Sequence, residues 1–151
     1  MHKKTKTLDT LLIASAVALS AIALLLLSSN SAYSEAHATP TVTASDQSVA
    51  NGVVSASSIV AGENGWLVVH RTDASMAPGP VVGHAPIRKG ETQDVAAILT
   101  EPVAPGDMLM LMIHSEAGGT QTGIFEYTLG AKEDGPIKPG GNLVMTVITA
   151  Q

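Results

Sequence analysis

The chain has 151 residues, of which 45% are hydrophobic and 14% charged, against roughly 25% charged in an ordinary soluble domain. It has no cysteine, which excludes disulfides, thiolate metal sites, iron–sulfur clusters, lipid attachment at cysteine and thiol catalysis. A formal net charge of −5 and an aromatic content of 3% leave neither the basic surface nor the stacking platform that nucleic acid requires.

Lys3, Lys4 and Lys6 precede an uncharged run over residues 11–27, and a small polar stretch then leads to Ala36-His37-Ala38, the small-x-small form of a signal-peptidase site. Residues 1–38 therefore read as an N-terminal hydrophobic helix, either a signal peptide or a retained membrane anchor. A helix over residues 11–27 rises about 25 Å, slightly less than the roughly 30 Å hydrocarbon layer, and flanking Thr10, Ser28 and Ser29 close that gap. If retained, it makes the membrane contact. Both readings place the remainder on the extracellular or periplasmic side, because the basic flank stays inside. The remaining domain, residues 39–151, carries five basic and eleven acidic residues, a net charge of −6. About 113 residues suffice to bury one core.

From residue 41 onward, period-two alternation interrupted by turn residues dominates. A short strand is predicted over 41–45 and a longer one over 53–60, with Asn51-Gly52 as a hairpin signal between them. Asn64-Gly65 gives the same signal before a strand over 66–71, whose Trp66 belongs in the core. A loop over 73–80 ends at Val81-Val82, a candidate short edge strand. Further strands are expected over 93–100, 108–114, 123–129 and 143–148, separated by Pro/Gly turns. Seven or eight short strands with this spacing predict an all-β fold, an immunoglobulin-like antiparallel β-sandwich without the Cys-Trp-Cys hallmark.

Catalytic motifs are lacking. The sequence holds no Gly-x-Ser-x-Gly elbow, phosphate loop, His-Glu-x-x-His or dinucleotide fingerprint. His70, Asp73 and Ser75 are triad types, but lie too close in sequence to converge as a triad. Glu133-Asp134 reads as solvated loop charge.

One pattern points to a cofactor. Met108, Met110, Met112 and His114 alternate along one strand and so share a face. Thioether and imidazole donors without thiolate suit copper as Cu(I), and His70, His84 and Met76 are further candidates. The first reading of the stripe is core packing without a cofactor, because Leu109, Leu111 and Ile113 occupy the other face and Met commonly fills gaps. His70 and His114 each sit at the C-terminal end of a strand. If those strands are antiparallel neighbours, the two rings are expected at opposite ends of the sandwich, about 20 Å apart. The doubly apolar runs 66–69 and 108–113 also need cover on both faces. Burial of both strands by their own domain is the first reading; a face left open would instead be a site for envelope or membrane partners or for self-association.

From Gly65 onward the sequence resembles an uncharacterised β-sandwich family of haloarchaeal surface proteins and bacterial envelope proteins. The resemblance rests on Gly65-Trp66-Leu67-Val68-Val69-His70, Val81-Val82-Gly83 and Gly90-Glu91-Thr92 leading to Val95. It continues in Leu99-Thr100-Glu101-Pro102-Val103, Leu111-Met112-Ile113-His114 and Glu133-Asp134-Gly135-Pro136. It covers roughly residues 42–149, nearly all of the chain after the leader, and implies an exported, non-enzymatic module. Members often carry an Asp/Asn-rich loop after the second histidine, suggestive of calcium; here residues 115–121 hold one carboxylate, Glu116, and depart from that pattern. The expectation is thus a structural or interaction module of the cell envelope, with a copper-binding protein as the alternative.

Overall fold

The computed structural model describes residues 38–151. The expected leader, Ala38 excepted, lies outside the described residues, among which no helix is long and apolar enough to cross a membrane.

The chain forms seven strands: β1 (Thr41–Thr43), β2 (Val53–Ala61), β3 (Gly65–Thr72), β4 (Val81–Ile87), β5 (Gly90–Leu99), β6 (Met108–Ser115) and β7 (Met145–Thr149). All pairings between them are antiparallel, in the order β1-β2-β5-β4-β3-β6-β7. The ladder narrows at one place: β5 runs along β2 from Val53–Ile98 to Ala61–Gly90, but meets β4 only at Gly83–Leu99 and His84–Ile98. The sheet turns at this corner, so that β1-β2-β5 faces β4-β3-β6-β7. Val54, Ala56, Ile59 and Ala97 from the first layer and Leu67, Val69, Leu109, Leu111 and Ile148 from the second form one buried cluster. A parallel bridge between Gln47 and Ala150 draws the outer edges together.

Several turns differ from expectation. β1 and β2 are partners, but residues 44–52 join them, and Asn51-Gly52 is a local turn leading into β2, with Gly52 at φ 72°. Asn64-Gly65 makes no hairpin, because β2 and β3 belong to opposite layers; the Asn64 side chain instead accepts the Lys89 N–H at 2.9 Å. The short edge strand at Val81-Val82 is the start of a seven-residue interior strand. Pro86 is tolerated there because the β5 ladder stops at His84. Residues 123–129 form no strand. Phe125 and Tyr127 alternate because both rings pack onto the sheet beneath, while Glu126 N–H donates to the Asp134 carboxylate and Gly123 N–H to that of Glu116.

That segment explains the doubly apolar strands. One face of β3 and β6 carries Leu67, Val69, Leu109, Leu111 and Ile113 into the sandwich core. The other carries Trp66, Val68, His70, Met110, Met112 and His114, all buried as well, under the excursion between β6 and β7. The chain covers the runs 66–69 and 109–113 itself, leaving no open sheet face there.

Candidate functional site

The chamber between the sheet and the β6–β7 excursion is where the chemistry-bearing side chains collect. Register sets the floor: Trp66 pairs with His114, Val68 with Met112 and His70 with Met110, three same-face rows in succession. Pro86 and His84 extend the first two rows onto β4, and Met145 and Val147 extend the last two onto β7. The roof is aromatic. The Tyr127 ring stands nearly perpendicular to that of His114, centroids 4.6 Å apart, and also edges His70 at 5.9 Å. Phe125 stacks on His84 at 4.3 Å and lies 5.4 Å from Trp66.

The two buried histidines converge. Their Nε2 atoms lie 3.4 Å apart, and each residue is 1% exposed. This corrects the expectation of opposite ends. β3 and β6 are indeed antiparallel neighbours, but the rows of His70 and His114 are four residues apart, about 13 Å, rather than a full strand length. Both rings lean inward over the Val68–Met112 row and close that distance. At Gly65 the strands approach so closely that a Cβ would lie 2.2 Å from the His114 carbonyl oxygen. The β3–β4 register also shifts between Val69 and His70, beside the Gly79 carbonyl that receives the His70 ring.

Hydrogen bonding fixes which ring nitrogens are free. His70 Nδ1 lies 2.8 Å from the Gly79 carbonyl oxygen, and His114 Nδ1 lies 2.6 Å from that of Asp134. A carbonyl only accepts, so each Nδ1 carries the proton and donates, and each neutral ring keeps its lone pair on Nε2. The 3.4 Å approach therefore brings two acceptors together with no proton between them. Burial holds the His114 imidazole well below its ordinary range, at about 4; the Asp134 carbonyl opposes this shift, and the neighbouring His70 adds to it. His70 is lowered too, by burial against the opposing pull of the Gly79 carbonyl.

Asp134 holds the roof. Buried and at φ 45°, it accepts the Ala117 N–H on Oδ1 and the Glu126 N–H on Oδ2, and its own N–H donates to the Ala117 carbonyl. The expectation of solvated charge holds for exposed Glu133 but not for Asp134. The sequence had offered Asp134 only as loop charge and as part of the resemblance, and Tyr127 only as a strand residue; neither was marked for the site.

Among the proposed ligands, Met110, Met112, His114 and His70 share the chamber. Met108 begins the strand in the Thr72 row, six residues and about 20 Å from His114. Met76 is an exposed loop residue at φ 58°. His84 lies on the far side of Phe125, its ring packed against Phe125 and Trp66. His70, Asp73 and Ser75 form no triad: the His70 ring points into the chamber, while Asp73 accepts from Ser75 in an exposed turn. Among the described residues no cluster of three or more His, Cys, Asp or Glu could hold a metal; the same-face strand residues that share rows with or lie between the two histidines include the thioethers Met110 and Met112.

The chain matches no curated protein and no solved structure. The pattern of a domain of unknown function, DUF7282, matches residues 40–151, from just before β1 to the last residue. With the whole sandwich and its chamber inside that match, the chain belongs to the DUF7282 family.

Proposed function

We propose that this protein is an exported, non-enzymatic module of the cell envelope that binds one transition-metal ion between His70 and His114. The observation that carries the reading is the pair of Nε2 lone pairs 3.4 Å apart, with each Nδ1 committed to a backbone carbonyl. Metal-binding histidines characteristically donate their second ring N–H in this way, which fixes tautomer and orientation. Two facing acceptors repel unless a cation lies between them. An ion 2.0–2.1 Å from each nitrogen would subtend about 110° at this separation, an ordinary coordination angle.

Export is supported by the basic start, the apolar run over 11–27 and Ala36-His37-Ala38, and an envelope setting by the resemblance to haloarchaeal surface and bacterial envelope proteins. The non-enzymatic part is supported by the lack of any Gly-x-Ser-x-Gly elbow, phosphate loop, His-Glu-x-x-His or dinucleotide fingerprint in the sequence. The test is titration of the purified protein with transition-metal ions, followed by elemental analysis. One equivalent per chain is expected, lost in His70→Gln and in His114→Gln while the β-sheet circular dichroism is kept. No saturable uptake, or uptake indifferent to both substitutions, would contradict the reading.

A further inference from the structure

Resting on that reading, we infer that the ion is monovalent and soft, Cu(I), and that Met112 supplies its third ligand. The angle comes first. A linear two-coordinate ion with bonds of about 2 Å needs its nitrogens roughly 4 Å apart. At 3.4 Å the ion is bent out of the line between them and keeps an open side. The residue whose row lies between those of His70 and His114 is Met112, 1% exposed, with Met110 one row away beside His70.

Charge then selects the ion. The only buried carboxylate among the described residues, that of Asp134, is turned to the N–H groups of Ala117 and Glu126. The available donors are therefore two neutral imidazoles and neutral thioethers. No ligand cancels charge, so the ion brings all of its own into a chamber walled by Val68, Trp66, Phe125 and Tyr127. The desolvation cost rises as the square of the charge, about fourfold from a monovalent to a divalent ion. Thioether sulfur adds the same preference, since it suits Cu(I) and is a poor ligand for hard or carboxylate-seeking cations.

The test is an anaerobic competition titration with Cu(I), Ag(I) and Zn(II), joined to X-ray absorption at the copper edge. Cu(I) and Ag(I) are expected to bind at least about a thousandfold more tightly than Zn(II). The copper spectrum of the unaltered protein should contain a sulfur shell beside two nitrogens. Met112→Leu, close in volume, should remove that shell and weaken Cu(I) binding about a hundredfold, while Met110→Leu leaves the shell in place. Zn(II) binding as tight as Cu(I), no sulfur in the unaltered protein, or a shell that survives Met112→Leu would each overturn the inference, while histidine-dependent binding would still stand. Absence of binding by all three ions would remove the underlying reading with it.

Discussion

At the scale of single residues, the site is a matter of which nitrogen carries a proton. Both histidines hold Nδ1–H against a carbonyl, so each contributes one lone pair to the same small space. The cost of protonating them appears in stability. Burial, with a smaller contribution from His70, lowers the His114 pKa to about 4, and the unfolded chain takes up a proton near the ordinary value of 6.5. Between these values the unfolded state binds more protons, so stability is full above pH 6.5 and falls as pH drops toward 4. The shift corresponds to about 3 kcal/mol for the metal-free protein. Urea midpoints of the metal-free protein followed from pH 7 to pH 4 should show this fall, flattened in His114→Gln; an identical slope in the variant would refute the assignment. The same-face stripe Met110, Met112, His114 was legible because period-two alternation alone places those residues. His70's place beside it was not, since a register offset of four rows is set by how β3 and β6 slide together, which neither strand encodes alone.

At the scale of elements, β3 and β6 make the chamber floor and owe their close approach to Gly65. A Cβ at that position would meet the His114 carbonyl at 2.2 Å, backbone against side chain, with no flexible group to yield. Gly65→Ala should therefore part the strands where His114 is held, costing about 1–3 kcal/mol in thermal or urea unfolding and weakening metal binding together with it. An alanine variant of unchanged stability and affinity would show that the strands are not in this contact. Six of the seven strands could be read to within a few residues, because alternation and Pro/Gly punctuation carry them. β4 was read as two edge residues, but it runs on through Gly83 and Pro86, and the narrowed β5 ladder accommodates Pro86. The segment 123–129 misled in the opposite sense: Phe125 and Tyr127 alternate as in a strand, but the backbone N–H of Glu126 goes to the Asp134 carboxylate instead of a neighbouring strand.

At the scale of the whole molecule, the sandwich has two interiors. The first lies between the layers and is aliphatic, in keeping with the all-β sandwich of seven or eight strands expected from the sequence, of which seven form. The second lies outside the β4-β3-β6-β7 layer, beneath the β6–β7 excursion, and gathers histidine, methionine and aromatic side chains with an indole N–H of Trp66 that has no hydrogen-bond partner. A purely structural second core would be cheaper built of aliphatics, since each buried polar atom left unpaired costs about 1–3 kcal/mol. The polar groups of this chamber are instead aimed so that two of them meet. The sequence could say that β3 and β6 needed cover on both faces and that their own domain was the first candidate to give it; it could not say that the cover would be the β6–β7 excursion, whose residues 123–129 read as a strand.

Whether the Nε2 atoms of His70 and His114 are free to face a common ion can be read from ring nitrogen-15 spectra of the labelled protein at pH 7. Both histidines should be neutral with the proton on Nδ1, and one equivalent of Ag(I) should shift both Nε2 resonances together while His84 is unmoved. A proton on Nε2 of either residue, or a silver shift confined to one of them, would contradict it.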